Sequence, residues 1–214
     1  MGHPQAAHIR EELKDHIPYS VGSTLLGMFV LGILSFIVGR LWGTGTMENL
    51  TTILFHLFHP WHVFFSASTT TAMFWRHERN AIKLLGIVVL GGVFPCILSD
   101  VMMPYLGGRL VGVPMDFHFD FELHPFLMTL VVLAGMGSGS FIVGRLEKST
   151  IFSHSFHVFI STMATFMYLV SYGFSNWSHY LFALALIGIA SVIIPCCLGD
   201  IVVPHLFTTQ GHRH

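Results

Sequence analysis

Charged residues are scarce: Asp, Glu, Lys and Arg make up only 10% of the 214 residues, against roughly 25% in an ordinary soluble domain. So little charge excludes a surface built for water. The net charge of -1 likewise offers no basic face for nucleic acid, whose binding needs Lys and Arg against phosphates. Cysteine is rare too. The three present, Cys96, Cys196 and Cys197, all fall inside apolar stretches, so no disulfide framework is expected. The first twenty residues carry Arg10, Glu11, Glu12, Lys14 and Asp15 and lack the apolar core of a signal peptide, so no cleavage is expected.

What is abundant is apolar. Hydrophobic residues reach 53% and the mean hydropathy is +0.68, the composition of an integral membrane protein. A helix crossing a hydrocarbon core of about 30 Å needs roughly 20 apolar residues. Six segments qualify: residues 19–42, 50–75, 81–106, 124–145, 150–173 and 179–206. The expected fold is therefore an all-α, single membrane domain of six transmembrane helices spanning residues 1–214. With both termini in the cytoplasm, Arg10, Lys14, Arg76, Arg79, Lys83, Arg145, Lys148 and Arg213 lie inside, and only Arg40 and Arg109 lie outside. The positive-inside rule favours that orientation, in a plasma (inner) membrane.

Histidine is the one polar excess, with fifteen copies. Two groups of them belong to a repeat. His59-Pro-Trp-His62 and the following Ser66 and Thr70 recur, 95 positions later, as His154, His157, Ser161 and Thr165. His62, Ser66 and Thr70 are i, i+4 neighbours, as are their counterparts, so each helix carries a polar stripe on an apolar surface. The repeat extends further. Phe36 to Leu41 recurs letter for letter as Phe141 to Leu146, and Pro95-Cys96-x-x-x-Asp100-x-x-x-Pro104 returns as Pro195, Cys196, Asp200 and Pro204. Three matches in one order mark a duplicated three-helix unit, residues 16–106 and 121–206. An odd number of spans inverts the second copy in the membrane. This inverted three-plus-three plan is shared by many transporters, an analogy of architecture alone.

An ionised Asp inside a span costs roughly 2.5–3.5 kcal/mol, so Asp100 and Asp200 need partners. Pro95 and Pro195 are expected to loosen or kink the helix just before them. Imidazole from one helix with carboxylate and thiol from another suits zinc or another late first-row metal. The candidate metal ligands are His62, His157, Asp100 and Asp200, with His59, His154, Cys96 and Cys196 beside them. Depth along the helices puts His62 and His157 near the midplane, Asp100 near the outer end of the third helix and Asp200 near the inner end of the sixth. Together they read as a ladder of ligands across the bilayer. The plainer readings are packing cysteines, interfacial helix caps for the aspartates and helix-bonded histidines. His56, His124 and His205 have no strict repeat equivalents and are not assigned to the ladder.

The long loop adds a second pattern. Asp116, His118, Asp120 and Glu122 alternate with Phe117, Phe119 and Phe121, so an extended chain separates acids and histidine from aromatics. The acidic face is expected to gather cations at an external mouth.

These residues point to a divalent transition-metal transporter or channel, with zinc first among its substrates and the lipid bilayer as its surroundings. A homo-oligomer is compatible with the plan. The alternatives are a membrane-embedded metalloenzyme, which needs three fixed ligands and an open position, and a haem carrier ligated by His62 and His157. Haem leaves the repeated Asp and Cys unused.

The charge partition generates a topological prediction. Single cysteines introduced at residues 76–80 or 146–150 should be labelled by an impermeant thiol reagent only from the cytoplasm, and those at 43–48 or 107–123 only from outside. Labelling of His118→Cys from the cytoplasmic side alone would reverse the orientation.

Overall fold

The computed structural model describes residues 3–43, 45–76, 78–142 and 150–197, with side chains omitted at 3–13, 15–16, 150–154 and 196–197. The described residues are helical with no strand. The long helices are α1 (His3–Leu41), α2 (Thr46–Trp75), α3 (Ala81–Leu110), α4 (Pro125–Ile142), α5 (Thr150–Tyr172) and α6 (Leu181–Cys197). Each overlaps one expected segment. The polar leader before residue 17 continues α1, and α3 runs four residues beyond its expected end.

Local sequence explains the ends. Gly43 and Gly112 adopt positive φ of 88° and 87°, which L side chains avoid, and the chain reverses there after α1 and α3. Asn80 caps α3, its side-chain oxygen accepting the backbone N–H groups of Ile82 and Lys83. Lys83 pairs with Glu78 at 2.6 Å beside that cap.

Among the described residues, four stretches are long and apolar enough to cross a membrane: Ile17–Leu41, Ala81–Leu110, Pro125–Ile142 and Trp177–Pro195. Large apolar side chains on them stand bare, among them Phe36, Ile82, Phe126, Phe141 and Phe182. Such a surface is tolerated in lipid and not in water, so these are the features of a membrane protein. Helices α2 and α5 are not in that set, because His, Ser and Thr interrupt their hydrophobicity. Instead α5 is largely enclosed, while α2 buries one face and leaves Ile53, Leu57, Trp61 and Met73 exposed. Along α5, Met163, Phe166, Met167, Tyr168 and Leu169 are all buried.

Helices α2 and α5 pack on each other at the centre, with α4 against α2 and α1 against α5. Small residues set the close approaches. A Cβ on Gly135 would sit 2.6 Å from the Phe64 carbonyl oxygen and 2.9 Å from Ala67. One on Gly139 would strike the Ser68 carbonyl. On the other side Gly27 is against Phe166 and Thr162. Gly22 and Gly137 face open space, and Gly32 has only Trp177 at 3.9 Å.

Two apolar clusters result. One gathers Leu31, Phe55, Met163, Tyr168 and Leu184; the other gathers Val63, Ala67, Val88, Cys96 and Met128.

These contacts yield a prediction about α4. Gly139→Val should destabilise the protein by about 1–3 kcal/mol through overpacking, read as a lower unfolding midpoint in detergent. Gly137→Val, on the same helix but in open space, should leave the midpoint unchanged.

Candidate metal centre

Asp100 is fully buried, and both its oxygens are occupied. Oδ2 accepts from His59 Nδ1 at 2.9 Å and from His62 Nδ1 at 2.7 Å. Oδ1 accepts from Ser99 Oγ at 2.6 Å and from Ser161 Oγ at 3.2 Å. Four donors from α2, α3 and α5 saturate one carboxylate. A carboxylate can only accept here, so both imidazoles carry their proton on Nδ1 and present Nε2 bare.

The two bare nitrogens have different fates. His62 Nε2 meets His157 Nε2, on α5, at 3.1 Å. His59 Nε2 is buried with no hydrogen-bond partner among the described residues, its ring stacked on Phe55 at 5.4 Å. Between His62 and His157 a single proton can be shared, and it belongs to His157 when His62 donates to Asp100. Two imidazole nitrogens on one tetrahedral zinc stand roughly 3.3–3.4 Å apart, given Zn–N bonds of about 2.0–2.1 Å. At 3.1 Å the pair is hydrogen-bonded, a few tenths of an ångström short of that spacing. Cys96, also buried, lies beside the His62 imidazole.

Helix α3 reaches this position by an irregular path. It is π-helical at Val89–Val93 and again at Leu98–Met102, with Phe94 N–H reaching back to the Val89 carbonyl and Met103 N–H to the Leu98 carbonyl. Pro95 and Pro104 each come two residues after a π turn. Proline has no N–H and collides with the carbonyl four residues back, and the wider turn absorbs both effects. The expected loosening at Pro95 is thus a π turn. Hydroxyls of the stripes bond carbonyls of this helix: Ser66 Oγ donates to the Gly92 carbonyl at 3.1 Å, and Thr165 Oγ1 to the Ser99 carbonyl, five residues before Pro104, at 3.1 Å.

Five of the expected ligands, His59, His62, Asp100, Cys96 and His157, come together between α2, α3 and α5. The side chains of His154 and Cys196, and all of Asp200, lie outside the described residues. Pro195 is buried in α6, and the residues after Cys197 lie outside as well. Asp100 is not a separate outer rung of a ladder. Because α3 continues to Leu110, Asp100 is ten residues, or ~15 Å, from its end and level with His62.

A second cluster joins His118 and Asp120, expected from sequence to belong to a cation-gathering face, to His56, which was not assigned. His56, one turn before His59 on α2, gives Nδ1 to Asp120 Oδ1 at 3.0 Å. His118 gives Nε2 to the same oxygen at 3.0 Å. Asp120 opens the helical turn Asp120–Leu123 and is buried. The alternation expected of the loop holds for Phe117, Phe119 and Phe121, whose rings lie side by side. Asp116 and Glu122 remain exposed, while His118 and Asp120 turn inward. Burial holds the His118 imidazole below its ordinary range, with Asp120 opposing and nearby His56 and His124 adding to the effect. The available signal was the spacing of His56, His59 and His62 at i, i+3 and i+6.

The π turns carry a stability prediction. Ser66→Ala or Thr165→Ala should each remove a buried hydrogen bond and lower stability by roughly 0.5–1.5 kcal/mol, measured as a fall in the detergent unfolding midpoint. Thr52→Ala, which removes an exposed bond to Glu48 of the same helix, should change it little.

No family model matches the chain, nor does any curated protein or solved structure.

Proposed function

We propose that the protein is a divalent transition-metal transporter or channel, zinc-like in preference, whose buried centre is His62 and His157 oriented by Asp100. One observation carries this reading: the two Nε2 atoms face each other at 3.1 Å while His62 Nδ1 is held by Asp100. A carboxylate behind a ligating imidazole fixes its tautomer and raises its basicity. Charge balance supports the same reading. Asp100 is a buried anion, and a buried anion needs a cation near it, which a bound metal supplies. Metal can bind only when the proton between the imidazoles leaves or moves to His157 Nδ1.

The chain plan behind this function is six spans in two inverted repeats. Packing supports it. Gly135 and Gly139 of α4 approach Ala67 and Thr71 of α2, while Gly27 of α1 approaches Thr162 and Phe166 of α5. Thr162 and Phe166 are the residues 95 positions after Ala67 and Thr71, so the first helix of each repeat lies against the same positions of the other repeat's second helix. The Lys and Arg partition puts both termini in the cytoplasm.

A haem carrier fits less well, because iron would lie on the line between two axial imidazoles with a porphyrin between them. The direct contact of His62 with His157 leaves no such slot. Purified protein should be colourless with zinc.

His62→Ala or His157→Ala should abolish zinc flux into liposomes and lower bound zinc, whereas His212→Ala should do neither. Asp100→Asn should weaken zinc binding about 10–100-fold. Unchanged flux and stoichiometry in the double variant His62→Ala, His157→Ala would overturn the proposal.

A further inference from the structure

The cluster at His56, His118 and Asp120 differs from the buried centre in one respect that decides its chemistry. Asp100 has both oxygens saturated and can only orient its histidines. Asp120 receives both its histidines on Oδ1, and its Oδ2 is buried with no hydrogen-bond partner among the described residues. Leaving a carboxylate oxygen buried and bare costs free energy, and a ligand that takes the lone pairs removes that cost. One ligand atom from each of His56, His118 and Asp120 lies within 4.8 Å of the others, and the two nitrogens that donate to Oδ1 become ligands when each ring's proton moves to its far nitrogen. Two imidazoles and a carboxylate are the donor set of an open zinc site, which keeps a fourth position for water or another ligand. His124 stands next to it, its ring 5.9 Å from that of His56.

The cluster is also held in place. The His118 ring stacks on Tyr172 at 4.5 Å. Its backbone N–H donates to Tyr168 Oη at 3.1 Å, and the Asp116 N–H donates to the Tyr172 carbonyl at 2.8 Å. These bonds fasten the loop to α5, while His56 rides on α2. The loop therefore brings its ligands to the helix pair before any metal arrives, and ligands fixed by their surroundings bind with less ordering cost.

We propose that His56, His118 and Asp120 form a second binding site for a divalent transition metal, at the loop end of α2. It lies six residues, or ~9 Å along the helix axis, from His62. As the site that loads the buried centre it rests on the transporter reading above; as a binding site it does not.

The test is zinc stoichiometry on the purified full-length protein, measured by equilibrium dialysis, beside the zinc-induced rise in unfolding midpoint. In a His62→Ala, His157→Ala background, one equivalent of zinc should remain and should still raise the midpoint. Adding Asp120→Asn, which keeps shape and removes the anionic ligand, should lose both. His56→Gln, at a side chain about a third exposed (32%), should lose the same equivalent and serves if Asp120→Asn does not fold. Retention of that equivalent in both variants would overturn the second site and leave the His62 and His157 reading standing. Loss of the equivalent on Asp120→Asn, with none lost on His62→Ala, His157→Ala, would keep the second site and remove the buried one.

Discussion

Asp100 is the group on which the arrangement depends. A carboxylate without water in the middle of a membrane protein is expensive unless every lone pair is used, and here His59, His62, Ser99 and Ser161 use them. Those donors come from three helices. Their convergence fixes the register of α2 against α3 and of α5 against both. It also settles which nitrogen of His62 faces His157, so one buried charge determines both the packing and the chemistry available to the site.

Meeting that constraint required helices that are neither regular nor uniformly apolar. The π turns of α3 swing Asp100 and the Gly92 and Ser99 carbonyls toward the stripes on α2 and α5, and Ser66 and Thr165 bond those carbonyls. Polar stripes face polar backbone, and the outer helices keep their bare apolar surfaces for lipid. Glycines at 27, 135 and 139 let the outer helices close on the central pair. Larger side chains there would push apart the elements that supply Asp100 with donors.

Much of this was legible in the sequence, and the misses have physical causes. The repeat located His62, His157 and Asp100, because histidine and aspartate are too costly in apolar helices to recur by accident. The depth of Asp100 was misread because Gly107 and Gly108 look like the start of a loop. Both are helical, and a side chain at either would collide with Ile187, Met115 or Phe174. Tertiary packing selected glycine there and overrode its poor helix propensity. The His56 cluster was hidden for another reason. Alternation along residues 116–122 separates two faces but does not say which turns inward; that is decided by Tyr168 and Tyr172, some fifty residues away.

The three histidines of α2 suggest how the two centres relate. Residues at i, i+3 and i+6 climb ~4.5 Å per step and shift about 60° around the helix each time, so His56, His59 and His62 form a spiral that covers about a third of its circumference. Asp120 takes the first, and Asp100 takes the second and third. Among the described residues the Asp120 carboxylate has an oxygen without a hydrogen-bond partner and the Asp100 carboxylate does not, so in the proposed function a cation would meet a carboxylate ligand at the first and only imidazoles, oriented from behind, at the second. Between them stands His59, whose Nε2 has no hydrogen-bond partner among the described residues. A structural metal site would close every position around a single ion. Here the open positions are spread along one helix, which suits an ion that exchanges its ligands one at a time.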